Sequence, residues 1–221
     1  MLQKSLPIWV TAIGLAVVNG VDLWIVGAFI GGEQVAWYGA ASRLAGWLAT
    51  PLTLVNGVVP PLIATLYASN RRAELRNVLQ GTAAAAAVPA LFAMAIVAAF
   101  SGDVLAAIFG APYRGAAAIA TLLIVGQAIN LISGSCATAL IMTGHQRVAM
   151  TVTLLSSAVT ITLALVLVRT HKAMGVAIAA ACGLALQNAA MWWMARRTTG
   201  IPTHASIPAL VRLLRQREPQ A

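Results

Sequence analysis

Charge is what this chain has least of. Only 9% of its 221 residues are charged, with 14 basic residues and five acids, against 60% hydrophobic ones and a mean hydropathy of +0.87. Ordinary soluble domains carry about 25% charged residues, so a water-soluble globule of this size has too few charges to cover its surface. Cysteine is nearly absent: Cys136 and Cys182 stand far apart, each inside an apolar run. That excludes a disulfide-stapled scaffold, and the expected role of both is that of small buried apolar residues. The apolar richness also excludes disorder. What remains is a polytopic membrane protein.

Six long apolar runs follow one another, at about 7–30, 35–67, 82–100, 116–142, 148–168 and 174–194. Each can cover the ~30 Å of hydrocarbon at 1.5 Å per residue, and none shows the short alternation of a membrane barrel. The expected fold is therefore all-α, a bundle of six transmembrane helices over 1–195 with a tail over 196–221. The second run would reach roughly 50 Å if straight. It contains Pro51, Pro60 and Pro61, which predicts a kinked or protruding helix; Pro89 predicts a milder bend in the third.

The excess of basic charge lies in the gaps between runs, without the interleaved aromatics of a nucleic-acid surface. Lys4, Arg71, Arg72, Arg76, Arg147, Arg196, Arg197, Arg212, Arg215 and Arg217 fall on one side, and Arg114, Arg169 and Lys172 on the other. The positive-inside rule then places both termini in the cytoplasm. Lys4 precedes an apolar stretch of more than 20 residues without a clear cleavage site, which argues against a cleaved signal peptide. The segment from Ile207 to Arg217 alternates Leu210, Val211, Leu213 and Leu214 with Arg212, Arg215 and Arg217. It reads as a basic amphipathic tail on an anionic leaflet, or as a disordered one.

Asp22 and Arg43 are charges inside spans, where charge is costly and normally meets a partner or an aqueous cavity. They flank the turn Gly31-Gly32-Glu33-Gln34, each roughly 12–15 Å from the helix ends by helix rise, so an ion pair between them, direct or through water, is expected. It would either pin the hairpin or line a cavity in which Arg43 meets an anion or Asp22 exchanges a proton. Gln127 and Asn130 share one helix face with Ser133, and Asn19, Asn56, Gln187 and Asn188 add amides to other spans. These amides either bond neighbouring helices or line a polar path. No phosphate-binding loop or dinucleotide fingerprint occurs, and His145, His171 and His204 lack neighbours at metal-ligand spacing. Neither an enzyme nor a cofactor or metal protein is expected.

The stretches Asp22-Leu23-Trp24-Ile25-Val26-Gly27-Ala28-Phe29 and Gln34-Val35-Ala36-Trp37-Tyr38-Gly39-Ala40-Ala41-Ser42-Arg43-Leu44 resemble the hairpin that opens the C-terminal half of bacterial polysaccharide biosynthesis exporters. These are the lipid-linked oligosaccharide flippases of the multidrug/oligosaccharidyl-lipid/polysaccharide superfamily. Pro60-Pro61-Leu62-Ile63-Ala64, Ile108-Phe109-Gly110-Ala111-Pro112-Tyr113, Met142-Thr143-Gly144-His145 and Gly175-Val176-Ala177-Ile178-Ala179 are similar to later landmarks of that family. The resemblance covers roughly residues 5 to 200 and rests on the order and spacing of loose motifs. It implies one lobe of a two-lobe transporter in a bacterial inner membrane. Its cargo would be a polyprenyl-diphosphate-linked oligosaccharide for O-antigen, capsule or exopolysaccharide, and its partner a second six-helix lobe from another chain, a homodimer or a missing N-terminal half. Arg43 would meet the anionic headgroup, Asp22 would hold it or couple to an ion, and Gln127 and Asn130 would meet sugar hydroxyls. A cation-coupled multidrug exporter of the same superfamily, and a non-transporting scaffold or remnant lobe, remain as alternatives.

Overall fold

The computed structural model describes residues 20–200, 203–206 and 208–211, and no strand occurs among them. The helices are α1 (Gly20–Phe29), α2 (Gly32–Ala68), α3 (Arg72–Ala99), α4 (Ser101–Phe109), α5 (Ala117–Ser133), α6 (Cys136–Met142) and α7 (Gln146–Thr199), with a 3₁₀ turn at Ala111–Ala116 leading into α5. Four of the described segments are long and apolar enough to cross a membrane: Gly32–Ala68, Arg72–Ala99, Ala111–Ser133 and Gln146–Thr199. The expected first run lies mostly outside the described residues, as do Lys4, Asn19 and most of the expected amphipathic tail.

The outer wall of the bundle is apolar. Val58 is 76% exposed and Phe92 71%, which would be a liability in water and is the expected surface in lipid. The interior is tight and rich in small residues. Val26, Tyr38, Leu44, Leu105, Ile124 and Val176 are buried where α1, α2, α4, α5 and α7 meet.

Two expected runs are joined at a sharp turn, and a third is broken. A straight 54-residue α7 would span about 80 Å, far more than a bilayer is thick. It instead turns back at Lys172, whose backbone (φ 53°, ψ −137°) is not helical. Residues 146–171 and 173–199 are two arms in antiparallel contact: Gly175 meets the backbone of Leu167, and Gly183 meets Thr160. A Cβ at Gly183 would overlap the Thr160 hydroxyl, so only hydrogen at this position lets the arms close.

The run expected as one helix over 116–142 is broken. α5 stops at Ser133, Gly134 adopts φ 69° and ψ −155°, and α6 starts afresh at Cys136. Segment 203–206 fills the break. The Thr203 hydroxyl donates to the Ser133 carbonyl at 3.3 Å and the Ala205 N–H to the Ile132 carbonyl at 3.0 Å. These donors satisfy carbonyls that a helix end leaves open, and a helix end buried in apolar surroundings needs such partners. The same segment ties α3 to α7. The Ser206 N–H donates to the Gln80 carbonyl at 3.3 Å, and the His204 ring lies against both Gln80 and Trp192. By contrast α2 runs unbroken through Pro51, Pro60 and Pro61.

The turns sort to two ends. At one end the Ala173 N–H reaches Gln34 at 3.4 Å and the Trp37 indole N–H donates to the Pro112 carbonyl at 3.1 Å, gathering the turns that carry Gly31, Arg114 and Lys172. Arg71, Arg72, Arg147, Arg196 and Arg197 lie at the opposite ends of the same helices.

Replacing Gly183 with Ala forces the arms of α7 apart and should destabilise the folded chain by about 1–3 kcal/mol, the usual range for overpacking. Thr160→Ala in the same chain should restore part of the loss. Thermal unfolding in detergent of the single and double variants checks both.

Candidate functional site

The α1–α2 hairpin sets the depth of Asp22, the acid that lies away from its turn. Asp22 lies nine residues before Gly31, and Tyr38 lies seven after it. The two are thus near mates across the turn. The Tyr38 hydroxyl donates to Asp22 Oδ2 at 2.8 Å, and the Leu23 backbone N–H donates to Oδ1 at 2.9 Å. Both carboxyl oxygens are held, and the tyrosine that holds one of them is fully buried.

Arg43 forms no direct ion pair with Asp22. The described ion pairs are Arg71 with Glu74 and Arg114 with Asp103, both near turns, and none joins Asp22 to Arg43. Two geometric facts explain the difference from expectation. Arg43 sits twelve residues past Gly31 against nine for Asp22, which puts it about 4–5 Å deeper by helix rise. It also follows Ser42, which lies one helical turn beyond Tyr38 and faces the Asp22 side. One further residue rotates the side chain by about 100°, and Arg43 is accordingly exposed on the outside of the bundle.

Asp22 opens into a partly open cavity of about 230 Å³ lined by α1, α2, α5 and both arms of α7. Its polar lining is Asp22, Ser42, Gln127, Ser157, Thr160 and Gln187. The volume decides what fits. At about 30 Å³ per water, it takes a small cluster of waters or a hydrated cation. Pockets for drug-sized ligands start at about 300 Å³, so an oligosaccharide does not enter.

The structure brings Asp22 and Gln127 to this one cavity. Asn130 is a step behind: its side-chain N–H donates to Gln127 Oε1 at 3.2 Å, holding the amide that lines the cavity. Asn56 accepts from the Thr138 hydroxyl at 3.3 Å, and Asn188 is buried, donating to the Leu184 carbonyl of its own arm at 2.9 Å and accepting from Cys136 Sγ of α6 at 4.0 Å. These two amides stitch helices together, one of the two roles open to them. Tyr38, Ser157 and Thr160 were not singled out by sequence. Counting outward from Gly31 finds Tyr38, whereas nothing local distinguishes Ser157 and Thr160 from other hydroxyls that bond their own helix. Cys136 is buried as expected, but Cys182 is exposed on the wall of α7. Among the described residues no group of three or more His, Cys, Asp or Glu is placed to hold a metal ion.

Comparison with known proteins agrees with a membrane-spanning helical chain. The MatE family model matches residues 7–166, well over half of the chain. The chain belongs to the MatE family. No curated protein and no solved structure gives a match. MatE proteins are membrane transporters rather than enzymes. In this MatE chain the cavity holds a carboxyl group bonded at both oxygens, with five neutral polar side chains lining the same space and room for water.

Tyr38→Phe deletes one hydroxyl and leaves the ring. Hydrogen bonds to charged groups contribute ~1.5–3 kcal/mol in water and interhelical ones in membranes average ~0.6, so a stability loss of about 1–2 kcal/mol is expected. Carbodiimide labelling of Asp22 should rise in the same variant, read by peptide mass spectrometry.

Proposed function

We propose that this chain is one lobe of a two-lobe flippase that carries a polyprenyl-diphosphate-linked oligosaccharide from the cytoplasmic to the outer leaflet of a bacterial inner membrane, for cell-surface polysaccharide assembly. The observation that carries the reading is the Asp22 cavity inside an otherwise apolar bundle. On this reading the six apolar runs over 1–195 form the lobe, with 196–221 as a cytoplasmic tail, and both termini are cytoplasmic. The two arms of α7 would be its last two spans.

The size of the cavity divides the labour. It is too small for the glycan, so the glycan and diphosphate would pass along the outside of this lobe, against a second six-helix lobe. The cavity would serve coupling, with Asp22 exchanging a proton or a cation as the lobes rock. Arg43 supports the same division. Roughly 17 Å along α2 from Gly32 by helix rise, an exposed guanidinium in acyl chains would cost a few kcal/mol. Facing a second lobe across a hydrated cleft, it would be free to bind the diphosphate. Gln127, steadied by Asn130, would belong to the coupling cavity rather than to the sugar path.

Family membership equally accommodates a cation-coupled multidrug exporter, in which Asp22 would do the same work for a different cargo. A non-transporting scaffold in glycan assembly is the third reading. Vesicles bearing the chain with its second lobe, assayed for flipping of a labelled lipid-linked sugar and for efflux of a cationic dye, separate the three. The flippase reading expects sugar flipping to fall tenfold or more in both Asp22→Asn and Arg43→Ala. Dye efflux lost in Asp22→Asn without any sugar flipping means the exporter. Glycan export unchanged by Arg43→Ala yet abolished by deleting the chain means the scaffold.

A further inference from the structure

We propose that the end of the second arm of α7 is a docking surface for the phosphodiester headgroup of an acidic phospholipid. The proposal stands independently of the cargo assigned above. Two tryptophans and two arginines occur there in register, Trp192 with Arg196 and Trp193 with Arg197, each pair one helical turn apart. The Arg197 guanidinium carbon lies 4.0 Å from the Trp193 ring centroid, and that of Arg196 lies 5.8 Å from the Trp192 ring.

A guanidinium laid on an aromatic ring uses its face and keeps its N–H edges free. A flat, oriented fork of donors is what a phosphodiester binds best. The platform is fixed from behind. The Trp192 indole N–H donates to His204 Nδ1 at 3.4 Å, and His204 in turn lies 3.5 Å from the Gln80 side chain on α3, which accepts from Arg76 at 3.3 Å.

Charge selects an anion. Arg71, Arg72, Arg76, Arg147, Arg196 and Arg197 share this end of the bundle, and among the described residues the one acid close by, Glu74, is bound to Arg71. Arg72 is also engaged, through Asn70 at 3.2 Å. Arg196 and Arg197 form no ion pair with a described acid.

The wall below selects a lipid over a soluble phosphate. Leu186 and Trp193 are seven residues apart, so they share a helix face, and they are 47% and 48% exposed. An acyl chain can therefore run down this apolar strip while its phosphate stays on the two guanidinium groups above.

The test uses the full chain in detergent, titrated with short-chain phosphatidylglycerol, short-chain phosphatidylcholine and inorganic phosphate, with binding read by native mass spectrometry. Phosphatidylglycerol should bind more tightly than either of the others. Arg196→Gln with Arg197→Gln should weaken it about tenfold to thirtyfold, from ~1 kcal/mol per basic group at a membrane surface. Arg71→Gln with Arg72→Gln removes the same charge from the same end and should weaken it less than about threefold. Trp193→Leu keeps every charge but removes the platform of Arg197, and should weaken phosphatidylglycerol alone by about threefold; it reads the proposal if the double arginine variant fails to fold. Equal losses in the two arginine pairs would reduce the effect to diffuse charge and overturn the proposal. So would phosphate or phosphatidylcholine binding as tightly as phosphatidylglycerol, or an unchanged Trp193→Leu.

Discussion

A carboxyl group within an apolar bundle needs a reason to be tolerated, and in this chain the reason is Asp22's surroundings. An ionised carboxylate at the centre of a membrane helix costs about 2.5–3.5 kcal/mol on insertion scales. One hydrogen bond to a charged group contributes ~1.5–3 kcal/mol in water, and less on average between membrane helices. The bond from Tyr38 alone therefore does not cover the cost. The Leu23 N–H and a cavity with room for several waters supply the rest. Asp22, the tyrosine that orients it and the polar walls contributed by α2, α5 and α7 are thus one unit.

Close helix contacts shape the walls of that cavity. Gly183 against Thr160 lets the two arms of α7 approach at its wall, and Gly126 approaches Ala181 from α5. At the far end, segment 203–206 plugs the break between α5 and α6 and joins it to α3 and α7. In a membrane a broken helix is tolerable only where its free backbone groups find partners in protein or water. Here the chain supplies two of those partners itself, Thr203 and Ala205.

The sequence made some of this legible and concealed the rest, for physical reasons. Helical, apolar runs were readable because a span demands them, and Asp22 stood out because acids in spans are costly. The direct Asp22–Arg43 ion pair is absent for reasons of depth and helical phase. Counting from the turn gave similar depths, but three residues of difference put Arg43 about 4–5 Å deeper, and an arginine directly after the cavity-facing Ser42 is rotated by about 100° from it. The break at Gly134 was hidden because its stabilising partners lie some 70 residues away, beyond any local pattern. Reversal of α7 was anticipated from the polar gap around Arg169 and Lys172, which separates two apolar runs. Gln127 and Asn130 were correctly grouped on one face, but only the packing of α5 on α7 distinguishes the one that lines the cavity from the one behind it.

The central claim is that Asp22 faces water held within the helix bundle rather than lipid or packed protein. It is tested most directly by thiol accessibility in the membrane-embedded chain, after Cys136 and Cys182 are replaced by alanine. Ser42→Cys, beside Asp22, should react with a small charged methanethiosulfonate reagent. Val58→Cys, on the outer wall of the same helix, should not. Ser42→Cys as unreactive as Val58→Cys would contradict the account.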